Sequence, residues 1–230
     1  FMETYQLVAD ASKAEQATFY KKTYLNLALG LVAFTIIESI FLQIEPLVSF
    51  MLSLTQGYLW LLLLGGFMGI SYVAQKMTNE GVTKSKQYLG YFLYIIAQAL
   101  IFVPLLYIAI FYTGSYDLLI QAVVITASLF LGLTFIVFST KADFSFLRSV
   151  LTIGFFVAIG TIVAGMIFGF DLGLWFSVGM ILLASGSILY DTYQIKNNFA
   201  THQYVPAALS LFSSLMLLFW YVLRLLMSRD

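Results

Sequence analysis

Seven runs of about 20 mostly apolar residues, the length a helix needs to cross hydrocarbon, divide this chain and leave few architectures open to it. They fall at Leu25 to Ile44, Tyr58 to Gln75, Leu89 to Tyr112, Leu118 to Ser139, Val150 to Phe170, Leu172 to Thr192 and Pro206 to Met227. Only 10% of the 230 residues are charged and the mean hydropathy is +0.95, so no soluble surface can be made from what remains. Backbone groups in lipid must pair within their own segment, which selects helices. The expectation is an all-α integral membrane protein, with residues 1–24 as a cytoplasmic amino-terminal tail and residues 25–230 as a seven-helix transmembrane domain.

The connections add detail. "GFDLG" between the fifth and sixth runs is short enough to demand a tight antiparallel hairpin. Leu47 to Gly57 is apolar but interrupted by Ser49, Ser53, Thr55 and Gln56, and reads as an interfacial connection. Pro104 should kink the third helix, because it removes a backbone donor and crowds the preceding turn. Gly65-x-x-x-Gly69 and Gly165-x-x-x-Gly169 have the spacing at which small residues let helices approach closely. Residues 1–24 are polar and mixed in charge, unlike a leader run, and Phe1 ahead of Met2 reads as a processing remnant.

Basic residues orient the bundle. Lys13, Lys21 and Lys22 precede the first span, Lys76, Lys84 and Lys86 follow the second, Lys141 and Arg148 follow the fourth, and Lys196 follows the sixth. These nine of eleven fall on one side, whereas the alternate connections around Glu45, Asp117 and Asp171 have none. Short cytoplasmic loops are enriched in Lys and Arg, so the amino terminus is expected in the cytoplasm. Arg224 and Arg229 are the exceptions and weaken the placement of the last span.

Several function classes are excluded by what is missing. A net charge of zero with scattered basic residues offers no stripe for a nucleic-acid backbone. There is no cysteine and one histidine, His202, in a polar loop, so zinc chemistry and a serine–histidine pair within the membrane lack their residues. An intramembrane aspartyl protease needs a second carboxylate on the next helix, and a retinal protein needs a lysine in the last span. Neither is present. No enzyme and no cofactor is expected.

Ionisable residues within spans are costly, by about 2.5–3.5 kcal/mol on insertion scales, and mark functional positions. Three qualify: Glu38, Asp191 and Arg224. Glu38, in "TIIESIF", is either an acid near the interface that faces water or part of an ion pathway. Asp191, in "SGSILYDTYQIKNN", shares a helical face with Ser187 and Gln194, a polar stripe that should face the bundle. In the last span Ser210, Ser214, Leu217, Tyr221 and Arg224 recur at three- and four-residue steps. If the sixth and seventh helices pack antiparallel, Asp191 meets hydroxyls near Ser214. The alternative is a helix-end acid paired with Lys196 or with water. Lys76, which ends the second span, is the better placed of the remaining cations to offset its charge.

"SGSILYDTYQIKNN" followed by "PAALSLFSSLMLLFWYVLRLL" resembles the carboxyl-terminal signature of the Bax inhibitor-1, or transmembrane BAX inhibitor motif, family. "STKADFSFL" resembles that family's loop between its fourth and fifth helices, and the ending "SRD" is similar to its YccA-like bacterial members. The resemblance covers roughly residues 20–230. It implies a fold in which the seventh span is central. It also implies a pH-sensitive calcium leak closed by two aspartates, one on each of the last two helices. Asp191 matches the first, but the second position holds Ser214, so a carboxylate pair cannot form there.

Two readings follow. In the first, Asp191, Ser214, Glu38, Lys76, Arg224 and Ser187 form a protonation latch or ion pathway, with Asp191 as a weak calcium ligand and calcium or protons as permeant species. Calcium takes about six to eight oxygens, and a weak site suits conduction because the ion must leave again. In the second, which YccA-like members suggest, the chain is an inner-membrane interaction protein that modulates a membrane-embedded quality-control protease through contact faces and the segment "SKAEQATFYKK". The orientation is open to direct measurement. A single cysteine introduced at Lys84 is expected to resist an impermeant thiol reagent added outside intact cells; labelling from outside reverses the topology.

Overall fold

The computed structural model describes residues 6–78, 82–112, 115–170 and 172–228; Phe1, Asp171 and Arg229 lie outside them. The elements are α1 (Lys13–Phe41), α2 (Glu45–Ser53), α3 (Leu59–Thr78), α4 (Lys84–Tyr107), α5 (Asp117–Ser139), α6 (Leu147–Phe168), α7 (Gly173–Asn197) and α8 (Tyr204–Met227). All but α2 are long and apolar enough to cross a membrane. Their outer faces are apolar too: Trp175 is 82% exposed and Phe168 78%. A soluble protein does not display such a belt, and hydrocarbon is the solvent that suits it.

α8 occupies the centre. It packs against α7, α1, α5, α4 and α3, while α6 is held mainly by α7 and α2 by α4. Small residues allow the close approach: Ala184 on α7, Ala122 on α5 and Ala207 and Ala208 on α8 are fully buried. Above them aromatic rings interlock around α8. Phe212 meets Tyr91 and Tyr94 edge to face at 5.8 and 6.1 Å between centroids. Phe102 meets Trp220 edge to face at 4.9 Å and stacks on Phe219 at 5.8 Å. Such ring pairs add about 0.5–1.5 kcal/mol each beyond the area they bury.

The first spanning helix starts at Lys13, well before the expected Leu25, because Ser12 and Glu15 form a capping box. The Ser12 N–H donates to Glu15 Oε2 at 2.9 Å and the Glu15 N–H donates to Ser12 Oγ at 3.3 Å. The residues ahead of it are clamped to the α7–α8 turn. The Val8 N–H donates to the Phe199 carbonyl at 2.9 Å, the Thr201 N–H to the Gln6 carbonyl at 3.1 Å, and Val8 is fully buried.

The lysine-bearing connections gather at this same end. Lys84 donates to the His202 carbonyl at 2.5 Å and lies 4.3 Å from the centre of the Tyr204 ring, with Lys22 on that ring at 5.1 Å. Lys196 donates to the carbonyls of Val137 and Thr140 at 2.8 and 3.0 Å, so a cation closes the carboxyl end of α5.

The apolar connection after Glu45-Pro46 is a short helix, since Pro46 suits a first helical turn and Val48 and Met51 pack on Val103. Pro104 lies inside α4, and Ile108–Tyr112 beyond it widens into π-type turns. Gly65 and Gly69 face open space, whereas Gly165 is buried against Phe170 and Leu172 at the turn into α7 and Gly169 ends α6 in the left-handed region at φ 69°. The close approach is at Gly90, where a β-carbon would lie 2.8 Å from the Ala74 carbonyl oxygen. Gly90→Val is therefore expected to force α3 from α4 and cost about 1–3 kcal/mol, the usual penalty for overpacking. Thermal unfolding in detergent should register it as a lower Tm, with Gly65→Ala leaving Tm unchanged.

Candidate functional site

The residue at the centre of the sequence reading is held against α8. On α7 the fully buried positions Ala184, Ile188 and Ile195 repeat at helical spacing, and Asp191 lies on that same face, three residues after Ile188 and four before Ile195. The carboxylate thus interrupts the apolar seam between α7 and α8. Across the seam the Ser214 hydroxyl donates to Asp191 Oδ2 at 2.5 Å, a length usual for a hydroxyl on a carboxylate. Ser214 itself is only 7% exposed.

One residue earlier on α8, Ser213 accepts a hydrogen bond from the Tyr94 hydroxyl of α4 at 2.7 Å. Tyr94 and Ser213 line a cavity of about 710 Å³ bounded by α3, α4, α6 and α8. The cavity runs along the Leu217, Tyr221 and Arg224 face of α8 toward the carboxyl end of that helix. Gln98 also lines it, and its buried Oε1 has no hydrogen-bond partner. The arrangement is a chamber with polar groups at its inner end, a tyrosine–serine pair as floor, and an aspartate–serine pair on the adjoining face of α8.

The other expected residues divide. Arg224 lines the chamber but lies ten residues beyond Ser214, about 15 Å along the helix, so it stands nearer the carboxyl end of α8 and not beside the acid. Ser187 donates to the Leu183 carbonyl of its own helix at 3.1 Å, and Gln194 donates to the Tyr190 hydroxyl at 2.5 Å. The expected Ser187–Asp191–Gln194 stripe therefore does not act as a unit, and the buried polar residues of α7 are instead Ser177 and Thr192, the latter with an unpartnered hydroxyl. Lys76 is exposed and shares a shallow depression with Lys86, so it is not the cation that offsets Asp191. Lys196, the alternative partner, is taken up by the end of α5.

Glu38 is 4% exposed, so it does not face water as a near-interface acid would. It lines a second cavity on another face of α8, together with Leu215, Met216 and Phe219, and is separate from the Asp191 site. Among the described residues no three His, Cys, Asp or Glu side chains come together as a metal cage.

Tyr94 and Gln98 escaped the sequence reading. Their signal was present: Gln87, Tyr91, Tyr94 and Gln98 recur at four-, three- and four-residue steps in the third span, and all four are buried. Outside the membrane, the loop "STKADFSFL" is shaped by Asp143, whose Oδ1 accepts the Ser145 N–H at 2.8 Å. That backbone donor, with the Ser145 and Tyr193 side chains, holds the Asp143 carboxyl below its ordinary pKa.

Comparison with known proteins agrees with this architecture. Residues 16–230 match the family described as "Inhibitor of apoptosis-promoting Bax1". An uncharacterized protein of Pseudomonas aeruginosa is 29% identical over 97% of this chain and 95% of its own length. Bax inhibitor 1 of Schizosaccharomyces pombe is 26% identical over 95% of this chain and 79% of its own. The protein named modulator of FtsH protease YccA in Escherichia coli is 30% identical over 74% of this chain and 76% of its own. With a family match that spans nearly all of a seven-span bundle built around its last helix, this chain belongs to the Bax inhibitor family of integral membrane proteins.

Proposed function

We propose that this protein is a pH-sensitive cation leak pathway, with calcium as permeant ion, whose closed state is held by the hydrogen bond between Ser214 and Asp191. That bond is the observation that carries the reading. It joins the two helices that pack most extensively, at a carboxylate whose charge is costly in this setting. It adjoins the inner end of a chamber large enough for hydrated ions. In the closed arrangement Tyr94–Ser213 and Asp191–Ser214 bar the way from the chamber to the lysine-rich end. A change in the protonation of Asp191 alters what its oxygens can accept, loosens the α7–α8 seam, and opens the path.

The ion meets one acid and several hydroxyls rather than a cage, and a weak site lets it pass on. Arg224, nearer the carboxyl end of α8, sets a positive charge in the path and limits cation entry. The orientation belongs to this proposal, with the lysine-rich end and amino terminus in the cytoplasm and the chamber open to the other side. So does residence in a bacterial inner membrane.

A second reading has its own support. The Escherichia coli relative is named modulator of a protease, relatives bear names of inhibitors and modulators rather than of catalysts, and Ser214 removes the second acid that a carboxylate latch would use. In that case the clamped amino-terminal segment and the start of α1 form the contact face toward a membrane-bound protease. Flux measurements separate the two, because a chain that carries no ion at any pH leaves only the modulator.

In liposomes loaded with a calcium dye, the wild-type protein is expected to give flux that varies with pH. Asp191→Asn should give flux that no longer does; an Asp191→Asn variant with wild-type pH dependence overturns the latch. Ser214→Asp places a second carboxylate within hydrogen-bond reach, and coupled acids titrate as a pair, so the pH profile should broaden into two steps. Arg224→Gln is expected to raise flux several-fold without changing the shape of that profile, since it removes a barrier remote from the latch.

A further inference from the structure

On the side of α8 away from the Tyr94–Ser213 chamber, α1 and α5 both pack on α8 but hardly touch each other. Between them lies a cavity of about 670 Å³, within the range of pockets that hold small-molecule ligands. Its rim is formed by exposed Thr35, Ser39, Val123 and Leu131, residues on the faces that meet lipid, so the cleft opens sideways into the bilayer. Gln43 and Tyr116 also line it, and the rest of the wall apart from Glu38 and Thr126 is apolar.

Its floor is unusual. Glu38 is 4% exposed and neither carboxylate oxygen has a hydrogen-bond partner. Thr126, on α5, is also 4% exposed and its hydroxyl is unpartnered. A buried carboxylate without partners costs several kcal/mol and is not kept without a reason. The neighbouring polar groups are already committed: Thr35 donates to the Leu31 carbonyl at 2.9 Å, Ser39 to Thr35 at 2.7 Å, and Gln43 to Ser39 at 2.9 Å. What the cleft leaves free is the Glu38 carboxylate, with the Thr126 hydroxyl elsewhere on its lining.

A buried, unpartnered carboxylate complements the N–H donors of a primary ammonium, and apolar walls complement an aliphatic chain. A calcium ion is a poor guest, since it takes about six to eight oxygens. Glu38 lies one turn before the end of α1, near the level where headgroups meet hydrocarbon, and the cleft descends from there past Phe34 and Phe130 to Leu27. A guest that enters from the bilayer can therefore place its head at Glu38 and its chain below. We propose that this cleft binds a bilayer lipid whose headgroup ends in a protonated primary amine, with the Glu38 carboxylate as the amine's acceptor.

Native mass spectrometry of the intact protein, released from nanodiscs with equal amounts of phosphatidylethanolamine and phosphatidylcholine, tests this directly. The two lipids share chains and phosphate, but only the first can donate N–H bonds. The wild type is expected to retain phosphatidylethanolamine about fivefold or more over phosphatidylcholine. Glu38→Gln should remove that preference, whereas Glu45→Gln, at an exposed acid near the same end, should keep it. Leu31→Trp, which fills the cleft, should lose retained lipid of both kinds. Equal retention of the two lipids by the wild type, a preference that survives Glu38→Gln, or a wild type that retains no lipid would overturn the proposal.

Discussion

The rest of the structure depends on the enclosure of α8. A helix in the middle of a bundle has no lipid to face, so every side chain it carries must find a protein partner or line a cavity. α8 does both: Leu211, Leu218 and Leu223 are fully buried among neighbouring helices, while Leu217 and Arg224 line one cavity and Leu215 and Phe219 another. The hydrophobic effect does not drive this packing, because hydrocarbon solvates leucine as well as protein does. Close fit and interhelical hydrogen bonds do. The Ser214–Asp191 and Tyr94–Ser213 bonds tie α8 to α7 and α4 at neighbouring positions, and the aromatic cluster around Phe212 lies on the same turn.

Much of this architecture was legible in the sequence, for a physical reason. Hydrocarbon thickness imposes a length on each span, so seven apolar runs translate into seven helices, and the two serines at the middle of the last run mark a helix that is not wholly exposed to lipid. Asp191 and Ser214 could be paired because antiparallel neighbours joined by a short turn bring those positions to one level. What was not legible depends on packing between distant segments. The two small-residue patterns look alike in sequence, but Gly65 has no neighbour and Gly90, outside any such pattern, touches the Ala74 carbonyl. Lys76 and Lys196 are both basic residues at helix ends, yet only the position of α5 decides that Lys196 has carbonyls to cap.

The three ionisable residues expected within the spans turn out to occupy three environments. Asp191 is bonded across a helix seam, Arg224 lines the chamber nearer the carboxyl end of α8, and Glu38 has no partner at all. Sequence placed them in one group because cost in lipid is common to all of them. Their separation follows from α8, whose residues 213, 217 and 224 point toward one cavity and 215, 216 and 219 toward another. With about 100° between successive residues, a single helix can serve two sites that do not share solvent.

That separation also bears on the replacement of a second acid by Ser214. Two carboxylates at this seam would hold one proton between them, and its loss would drive the helices apart by charge repulsion. A serine cannot repel. It can only donate or accept, so the force available to open the seam is the difference between a hydroxyl on a carboxylate and a hydroxyl on a neutral acid, a charge-assisted bond against an ordinary one, roughly a twofold change in strength. In the proposed latch that modest difference works against the packing of the fully buried Ala184, Ile188 and Ile195. Within the proposed latch, Asp191 therefore acts through the one bond to Ser214, with no charge repulsion to assist it.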